Sequence, residues 1–348
     1  MSGNVLRLGI VGCGYGTQVL APAFLADPRV QLVAIAGRNL EKVKARAEDL
    51  GVEKFYADWV DMLDEAGLDA LAVAVPPKSQ PEILSNAIAR NLAVFAEKPL
   101  ALTFDEARSL AAQARISNLA NVVDFNFSEI AHFLSAKTIL DSGTLGEIYH
   151  VAVTWQVESY ANRMGIQSWK TDEGSGGGAL SNFISHSFHY LEWLLGPIAA
   201  LSSTASGMPN DMRQNDVFVS MALRFRNGAA GGLIMSAAAY QGSGHRIEIY
   251  GKEGVLSLEN PGADYMRGFQ LRSARRPDSL KLVNVPLLDE DRWHDGRVLP
   301  ASRLARRFTD WATGGSACEP SFVSGLRVQR LLGAARQSAK LGVWIDTL

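Results

Sequence analysis

Three closely spaced glycines near the start of the chain are its first chemical signal. Gly12, Gly14 and Gly16 follow an apolar, strand-like run and open a stretch of helical character. In such a βα turn, backbone amides and the helix N-terminus can hold a pyrophosphate group. We therefore expect Tyr15, Thr17 and the three glycines to bind a dinucleotide; a glycine turn without a ligand is the alternative.

The residues after the second predicted strand indicate which dinucleotide. Gly37, Arg38 and Asn39 stand where an NAD site normally carries a carboxylate for the ribose 2′-hydroxyl, and the segment has none. A guanidinium can bind a 2′-phosphate through two hydrogen bonds and can stack on adenine. The sequence therefore favours NADP (NADPH), with NAD left open. An exposed arginine at the start of a helix is the alternative for Arg38.

A charged loop follows a later strand. Glu97 and Lys98 come directly after the apolar run 93–96, and Pro76 and Pro77 close the buried run 70–75. Ligands of doubly wound sheets bind beyond the carboxyl ends of such strands. These four residues are expected at the cofactor, where the Lys98 ammonium can hydrogen-bond the reacting oxygen of a substrate and share a proton. Considered alone, a lysine in a surface loop is the more common explanation.

The elements that must position these residues change character along the chain. From residue 5 to about residue 96, short β-branched runs alternate with helical stretches, which is typical of a parallel sheet covered by helices. After about residue 123, longer alternating strands predominate, with one helix near 185–195. We therefore predict an α/β protein with a doubly wound parallel-sheet domain at 1–123 and an α+β domain with an open, mainly antiparallel sheet at 124–348.

Length and composition limit the classes of function. A chain of 348 residues exceeds the usual size of one hydrophobic core, which favours two domains. A formal net charge of -2 supplies no broad field for nucleic acid or anionic lipid, so neither partner is expected. Cys13 and Cys318 are too few for a disulfide framework. No signal peptide or membrane-spanning run is recognised, so a cytoplasmic protein without membrane contact is expected.

Further motifs accompany these residues. They are Val75-Pro76-Pro77, Glu97-Lys98-Pro99, the run from Gly176 to His186 with three leading glycines, the segments 168–172 and 249–254, and the ending from Pro320. Together with the glycine loop, they resemble the glucose–fructose oxidoreductase/inositol dehydrogenase/MocA (Gfo/Idh/MocA) family over nearly the whole chain. The resemblance implies a Rossmann domain followed by an open-faced sheet domain, with the substrate between that sheet and the nicotinamide.

The resemblance also implies catalytic residues. Lys98 occupies the position of the family lysine and His186 that of the family histidine, which together move a proton to or from the substrate hydroxyl. Four residues before the histidine the family commonly has an aspartate, and this chain has Asn182. An amide can hydrogen-bond substrate or imidazole but supplies no charge. We therefore expect Lys98 to be the main proton donor, with His186 and Asn182 completing the catalytic set.

Aromatic and basic side chains extend the expected site. The expected substrate contacts are Lys98, Trp155, Arg163, Trp169, Asn182 and His186. Packing in a core or interface is the alternative for the aromatic members. His189 lies three residues after His186, but no third ligand accompanies the pair, so no metal site is expected and His189 is interpreted as a structural histidine. Segment 125–129 lacks the arginine that many relatives carry there.

These features predict an NADP-dependent oxidoreductase that transfers a hydride between nicotinamide and a carbinol or carbonyl carbon of a sugar, cyclitol or nucleotide sugar. Two alternatives stay open, a redox-neutral NAD-dependent glycosidase and a non-catalytic NADP-binding sensor. Arg38 counts against the first, and the presence of Lys98 and His186 counts against the second. An apolar sheet face in the second domain needs cover, so a homo-oligomer formed through the C-terminal sheet is expected.

Overall fold

The computed structural model describes residues 5–213, 215–262, 264–288 and 292–348. Its helices are α1 (Ala21–Leu25), α2 (Leu40–Leu50), α3 (Trp59–Glu65), α4 (Gln80–Ala89), α5 (Phe104–Ile116), α6 (Ala131–Asp141), α7 (Tyr160–Arg163), α8 (Ser185–Leu195), α9 (Val298–Ala312) and α10 (Phe322–Leu341). Its strands are β1 (Leu6–Val11), β2 (Val30–Ala36), β3 (Lys54–Tyr56), β4 (Ala70–Val73), β5 (Ala93–Ala96), β6 (Asn121–Val123), β7 (Ile148–Gln156), β8 (Ile198–Ser206), β9 (Phe218–Phe225), β10 (Ala230–Ser236), β11 (Gly244–Gly251), β12 (Gly254–Asn260), β13 (Gln270–Arg275), β14 (Lys281–Leu282) and β15 (Ile345–Asp346). None of the helices in these ranges combines the length and apolar character that a membrane span requires.

The first of two compact units contains a six-stranded parallel sheet in the order β3-β2-β1-β4-β5-β6. All residues of β4 and β5 are buried, because helices cover both faces of such a sheet. The chain reverses its direction across the sheet between β1 and β4, which is the point where doubly wound folds bind ligands. The predicted Rossmann-type sheet is confirmed.

The second unit contains a nine-stranded sheet in the order β14-β13-β12-β11-β7-β10-β9-β8-β15. Its central pair, β7 and β10, is parallel, and every other pairing among the described strands of this sheet is antiparallel. The prediction of a mainly antiparallel second sheet is confirmed. The predicted helix at 185–195 is α8, with the same bounds.

Each unit is formed from two stretches of chain, whereas the sequence predicts one boundary between residues 123 and 124. The described residues of Met1–Asn126 cluster with those of Arg292–Gln329, and those of Phe127–Asp291 cluster with Arg330–Leu348. Helix α9 joins the first unit because its Phe308 ring packs edge-on against Phe24, at 5.9 Å, and Phe95, at 5.7 Å. At the start of α10, Phe322 donates its backbone N–H to the side chain of Asn121.

A substitution at Phe308 tests how strongly α9 packs against the parallel sheet. Replacement by alanine leaves a cavity in the fully buried aromatic cluster, so we expect a loss of roughly 3–5 kcal/mol in the free energy of unfolding, measured by urea denaturation. The exposed Arg306→Ala on the same helix is the control, with an expected change of about 0.5 kcal/mol or less. Equal effects of the two substitutions would show that α9 is not part of this core.

Candidate active site

The glycine loop after β1 depends on residues without a side chain. Gly12 has φ +119°, and a Cβ there would lie 2.2 Å from the carbonyl oxygen of Ala74 at the end of β4. A Cβ on Gly16 would lie 2.9 Å from the Ile10 side chain. At Gly14, by contrast, an added Cβ would have no described atom within 4 Å. The loop is thus held against the sheet at two glycines and open at the third, which fits a bound pyrophosphate.

A helical segment starts directly at the end of this loop. It begins with a π-helical turn, Gly16–Leu20, and continues as α1. The buried Thr17 donates its hydroxyl to the carbonyl oxygen of Gly14 at 3.4 Å, which closes the turn. Pro76 and Pro77 lie in the loop that follows β4, half-buried and buried respectively. The sequence prediction of a strand, a glycine turn and a helix is confirmed, and its role in holding a cofactor stays a prediction.

The segment after β2 lies close to the glycine loop. A Cβ on Gly37 would be 2.8 Å from the Cys13 sulfur, so the two loops pack against each other. Arg38 is exposed. Asn39 accepts the backbone N–H of Lys42 at 2.9 Å and so caps α2, a structural role that the sequence did not predict for it.

Positive charge surrounds this junction. Burial raises the pKa of the Cys13 thiol, and the cations of Lys42 and Arg46 on α2 act in the opposite direction. Both cations are carried by α2, which begins directly after the segment 37–39. Arg46 is paired with Asp49 at 3.1 Å, whereas the exposed Arg38 and Lys42 supply positive charge that favours an anionic group at the end of β2.

The loop that carries Lys98 is fixed by hydrogen bonds to its backbone. The Gln80 side chain donates to the carbonyl oxygens of Glu97 (2.6 Å), Pro99 (3.2 Å) and Leu100 (3.1 Å). The Glu97 carboxylate accepts the backbone N–H of Lys98 at 2.8 Å. Gln80 is buried at the start of α4, and sequence analysis did not single it out. Lys98 is therefore presented from an ordered backbone at the carboxyl edge of the sheet.

Asp124 is a buried acidic residue of this edge that sequence analysis missed. Its Oδ2 accepts the Tyr15 hydroxyl at 2.8 Å, and the Tyr15 oxygen in turn accepts from the Asn126 side chain at 3.2 Å. Asp124 is 1% exposed, and its Oδ1 has no hydrogen-bond partner among the described residues. The glycine loop is thus tied through Tyr15 to the residue that follows β6. A carboxylate directly after a short apolar run was the signal available in the sequence.

Burial raises the pKa of the Asp124 carboxyl to about 8, with the negative charge of Glu97 as the next cause. The Tyr15 hydrogen bond, Lys98 and Arg297 act in the opposite direction. The Arg297 guanidinium also lies 5.4 Å from the centre of the Tyr15 ring. Charged groups of the loop that carries Lys98 therefore act on Asp124, which follows β6 and is hydrogen-bonded to Tyr15 of the glycine loop.

The second unit carries the expected histidine. His186 is buried in α8, with its ring 4.9 Å from that of Phe127. Asn182 lies in a π-helical segment, Leu180–Ile184, that leads directly into α8. Its side-chain amide donates to the carbonyl oxygen of Lys170 at 3.0 Å. This bond anchors a loop.

His189 lies on the same helix and is buried. Burial lowers the pKa of His189 to about 3, which keeps the imidazole neutral. Burial lowers the pKa of His245 to the same extent. No group of three His, Cys, Asp or Glu side chains within the described ranges could hold a metal ion.

The other expected substrate contacts of the second unit differ in exposure. Trp155 is 1% exposed and stacks on His245, with ring centres 4.1 Å apart, which is the packing alternative considered from the sequence. Arg163 is exposed at the end of α7, above the Tyr160 ring. Trp169 is half-buried and begins a short 3₁₀ turn. Of the three side chains, those of Arg163 and Trp169 are accessible at the protein surface.

Asp124 predicts a specific dependence of stability on pH. Because its folded-state pKa is raised, the folded protein binds the proton more tightly than the unfolded chain, and stability falls as pH rises from about 4 to about 8. Asp124→Asn removes this contribution while it keeps an acceptor for Tyr15. The variant should therefore gain stability relative to wild type as pH rises, by at most about 1.4 kcal/mol per pH unit, in urea titrations. The exposed Asp278→Asn should show no such trend; a parallel pH profile for Asp124→Asn and wild type would exclude the raised pKa.

Comparison with known proteins identifies the family to which these features belong. Residues 6–125 match the oxidoreductase family with NAD-binding Rossmann fold, and residues 133–257 match the GFO/IDH/MocA C-terminal domain. An uncharacterized oxidoreductase of Synechocystis sp. is 27% identical over 98% of this chain and 95% of its own length. The levoglucosan dehydrogenase of Pseudarthrobacter phenanthrenivorans is 24% identical over 98% of both chains.

A solved structure of a levoglucosan dehydrogenase in complex with NADH superimposes with a TM-score of 0.88 at 23% identity and covers 99% of each chain. At this identity the superposition shows a shared fold. The two family matches lie on the two sheets described above and together span most of the chain. The chain therefore belongs to the Gfo/Idh/MocA family of NAD(P)-dependent oxidoreductases.

Proposed function

We propose that this enzyme uses NADP(H) to interconvert a carbinol and a carbonyl group on a sugar, a cyclitol or a nucleotide-linked sugar. The observation that carries the proposal is the position of Lys98. It follows β5 at the edge where the glycine loop ends, and its charge acts on Asp124, the hydrogen-bond partner of Tyr15 in that loop. An ammonium group at this edge suits a reacting oxygen beside a dinucleotide.

The substrate class is supported by the names of relatives. Besides levoglucosan dehydrogenase, they include D-apiose dehydrogenase of Rhizobium rhizogenes and inositol 2-dehydrogenase of Rhizobium meliloti. Each of these substrates is a polyhydroxylated ring or a sugar with secondary hydroxyl groups, which a hydride-transfer enzyme can oxidise. We extend that class to this chain and leave the individual substrate to experiment.

The chemistry proposed for the residues is proton management around a hydride transfer. The nicotinamide, when bound, supplies or accepts the hydride. Lys98 donates a hydrogen bond to the substrate oxygen, stabilises negative charge that develops on it, and transfers a proton as the carbonyl is reduced. His186 is the second proton-transfer group in this proposal, because imidazole exchanges protons near neutral pH.

The preference for NADP is supported by charge at the end of β2. Arg38 is exposed there, Lys42 lies in the first turn of α2, and the segment 37–39 lacks a carboxylate. A phosphate on the ribose is attracted by this charge, and no acidic side chain of the segment is present to bind a 2′-hydroxyl. In this respect we propose a departure from the levoglucosan dehydrogenase that was solved with NADH.

Lys98→Ala is the direct test of the catalytic assignment. We expect kcat/KM to fall by about 10²–10⁴-fold, because a general acid is lost, while NADPH binding measured by fluorescence changes far less. Turnover is followed at the nicotinamide absorbance band across keto-sugars, keto-cyclitols and nucleotide sugars. Release of an aglycone without a net change in this absorbance would identify a redox-neutral glycosidase instead. The exposed Lys340→Ala on α10 is the control. Full activity in Lys98→Ala would contradict the assignment.

Arg38→Ala tests the cofactor preference. Loss of charge-assisted hydrogen bonds to the 2′-phosphate should raise the KM for NADPH by about 10–100-fold, with the KM for NADH nearly unchanged. Arg38→Lys keeps the charge but loses the bidentate hydrogen-bonding geometry, so its KM for NADPH should lie between those of the alanine variant and wild type. The preference for NADP is refuted by wild-type enzyme that favours NADH, or by an alanine variant that loses both cofactors equally.

A further inference from the structure

We propose that Asn182 is a positioning residue whose amide group ties the backbone of Lys170 to the helical segment that carries His186. An ionised aspartate cannot perform this role. The part of the inference that concerns turnover rests on the proposed function. The part that concerns loop order does not.

The carbonyl oxygen of Lys170 is the centre of this contact. It accepts the backbone N–H of Gly178 at 3.0 Å and the Asn182 side-chain amide at 3.0 Å. The backbone N–H of Asn182 donates in turn to the carbonyl oxygen of Gly178 at 2.9 Å. Lys170, Gly178 and Asn182 therefore form a closed set of hydrogen bonds at the point where the loop becomes a helix.

The glycines of the loop allow this contact to be close. A Cβ on Gly177 would lie 2.3 Å from the carbonyl oxygen of Trp169 and 2.6 Å from that of Lys170. Gly178 has φ +93°, and a Cβ there would lie 2.0 Å from the Asp216 carboxylate. The backbone of 177–178 is thus enclosed on two sides: a side chain on Gly177 would overlap the backbone of Trp169 and Lys170, and one on Gly178 would overlap Asp216.

Asp216 fixes the other side of the same turn. Its Oδ2 accepts the backbone N–H of Leu180 at 2.7 Å, and its backbone oxygen accepts that of Ala179 at 2.8 Å. These bonds satisfy amides at the start of the helical segment, which has no preceding turn to bond them. With Asp216 on one side and Asn182 on the other, the direction in which α8 begins is determined.

The chemistry of the Lys170 contact distinguishes an amide from a carboxylate. A carbonyl oxygen can only accept, so the group facing it must donate, and this requirement assigns the Asn182 nitrogen to that position. An ionised carboxylate has no proton to donate and would face the carbonyl oxygen with like partial charge. A protonated carboxylic acid does carry a donor. Asn182→Asp should therefore regain the contact only when its carboxyl is protonated.

Two substitutions test this proposal. In hydrogen exchange at pH 8, we expect the Gly178 amide to exchange about five- to tenfold faster in both Asn182→Ala and Asn182→Asp than in wild type, because one supporting hydrogen bond is lost. With a substrate that wild type turns over, kcat relative to wild type should drop in both variants at pH 8. As the pH falls through the pKa of the new carboxyl, ordinarily about 4, kcat relative to wild type should recover in Asn182→Asp and stay low in Asn182→Ala.

Asn227→Asp provides a chemically matched control. The Asn227 amide also donates to a carbonyl oxygen, that of Leu195 at the opposite end of α8, at 3.1 Å. Asn227→Asp should change neither the exchange rate of the Gly178 amide nor the pH profile of kcat. Wild-type activity of Asn182→Asp at pH 8, or unchanged Gly178 exchange in both Asn182 variants, would overturn the proposal. If wild type turns over none of the substrates, the proposed function fails and the exchange measurement alone decides whether Asn182 anchors the loop.

Discussion

The parallel pairing of four neighbouring strands is the constraint on which the site of the first unit depends. The register aligns the last residues of these strands in one row, namely Val11, Val73, Ala96 and Val123. The next residue of each strand leaves the sheet at the same edge; these are Gly12, Ala74, Glu97 and Asp124. A Cβ on Gly12 would overlap the Ala74 carbonyl, so glycine is required in this row. The carboxyl groups of Glu97 and Asp124 are brought near each other, which contributes to the raised pKa of Asp124.

Burial determines which titratable groups of the two units remain uncharged. Inside the first unit it raises the pKa of Asp124 to about 8, and inside the second it lowers the pKa of His189 and His245 to about 3. Each shift favours the neutral form near pH 7, because a charge without a full set of partners is costly inside a protein. The cations of Arg38 and Lys42, by contrast, belong to exposed residues. Positive charge is thus available at the surface near the glycine loop, where an anionic cofactor would meet it.

Local patterns in the sequence predicted the parts of the fold that local chemistry determines. The glycine turn, the buried strands of the parallel sheet and the helix α8 follow from residue type and periodicity within short windows. The packing of α9 against the first unit could not be predicted in this way, because the apolar face of a helix does not indicate which sheet it will cover. Asp124 was missed for a similar reason, since β6 is only three residues long and its partner Tyr15 is distant in sequence. At Asn182 the residue type was noted, but its bond to Lys170 depends on the path of the intervening loop.

The charge of Lys98 cannot be altered without an effect on Asp124. The lysine lowers the pKa of the buried carboxyl and Glu97 raises it, so the charge state of Asp124 depends on both neighbours. Removal of the ammonium leaves the influence of Glu97 less opposed and pushes Asp124 further toward its protonated form. Because Asp124 is also the hydrogen-bond partner of Tyr15, the change reaches the glycine loop. Substitutions at positions 98 and 124 are therefore expected to be non-additive, and a double-mutant cycle between them measures how far the lysine acts on cofactor binding through the carboxyl rather than on the reacting oxygen.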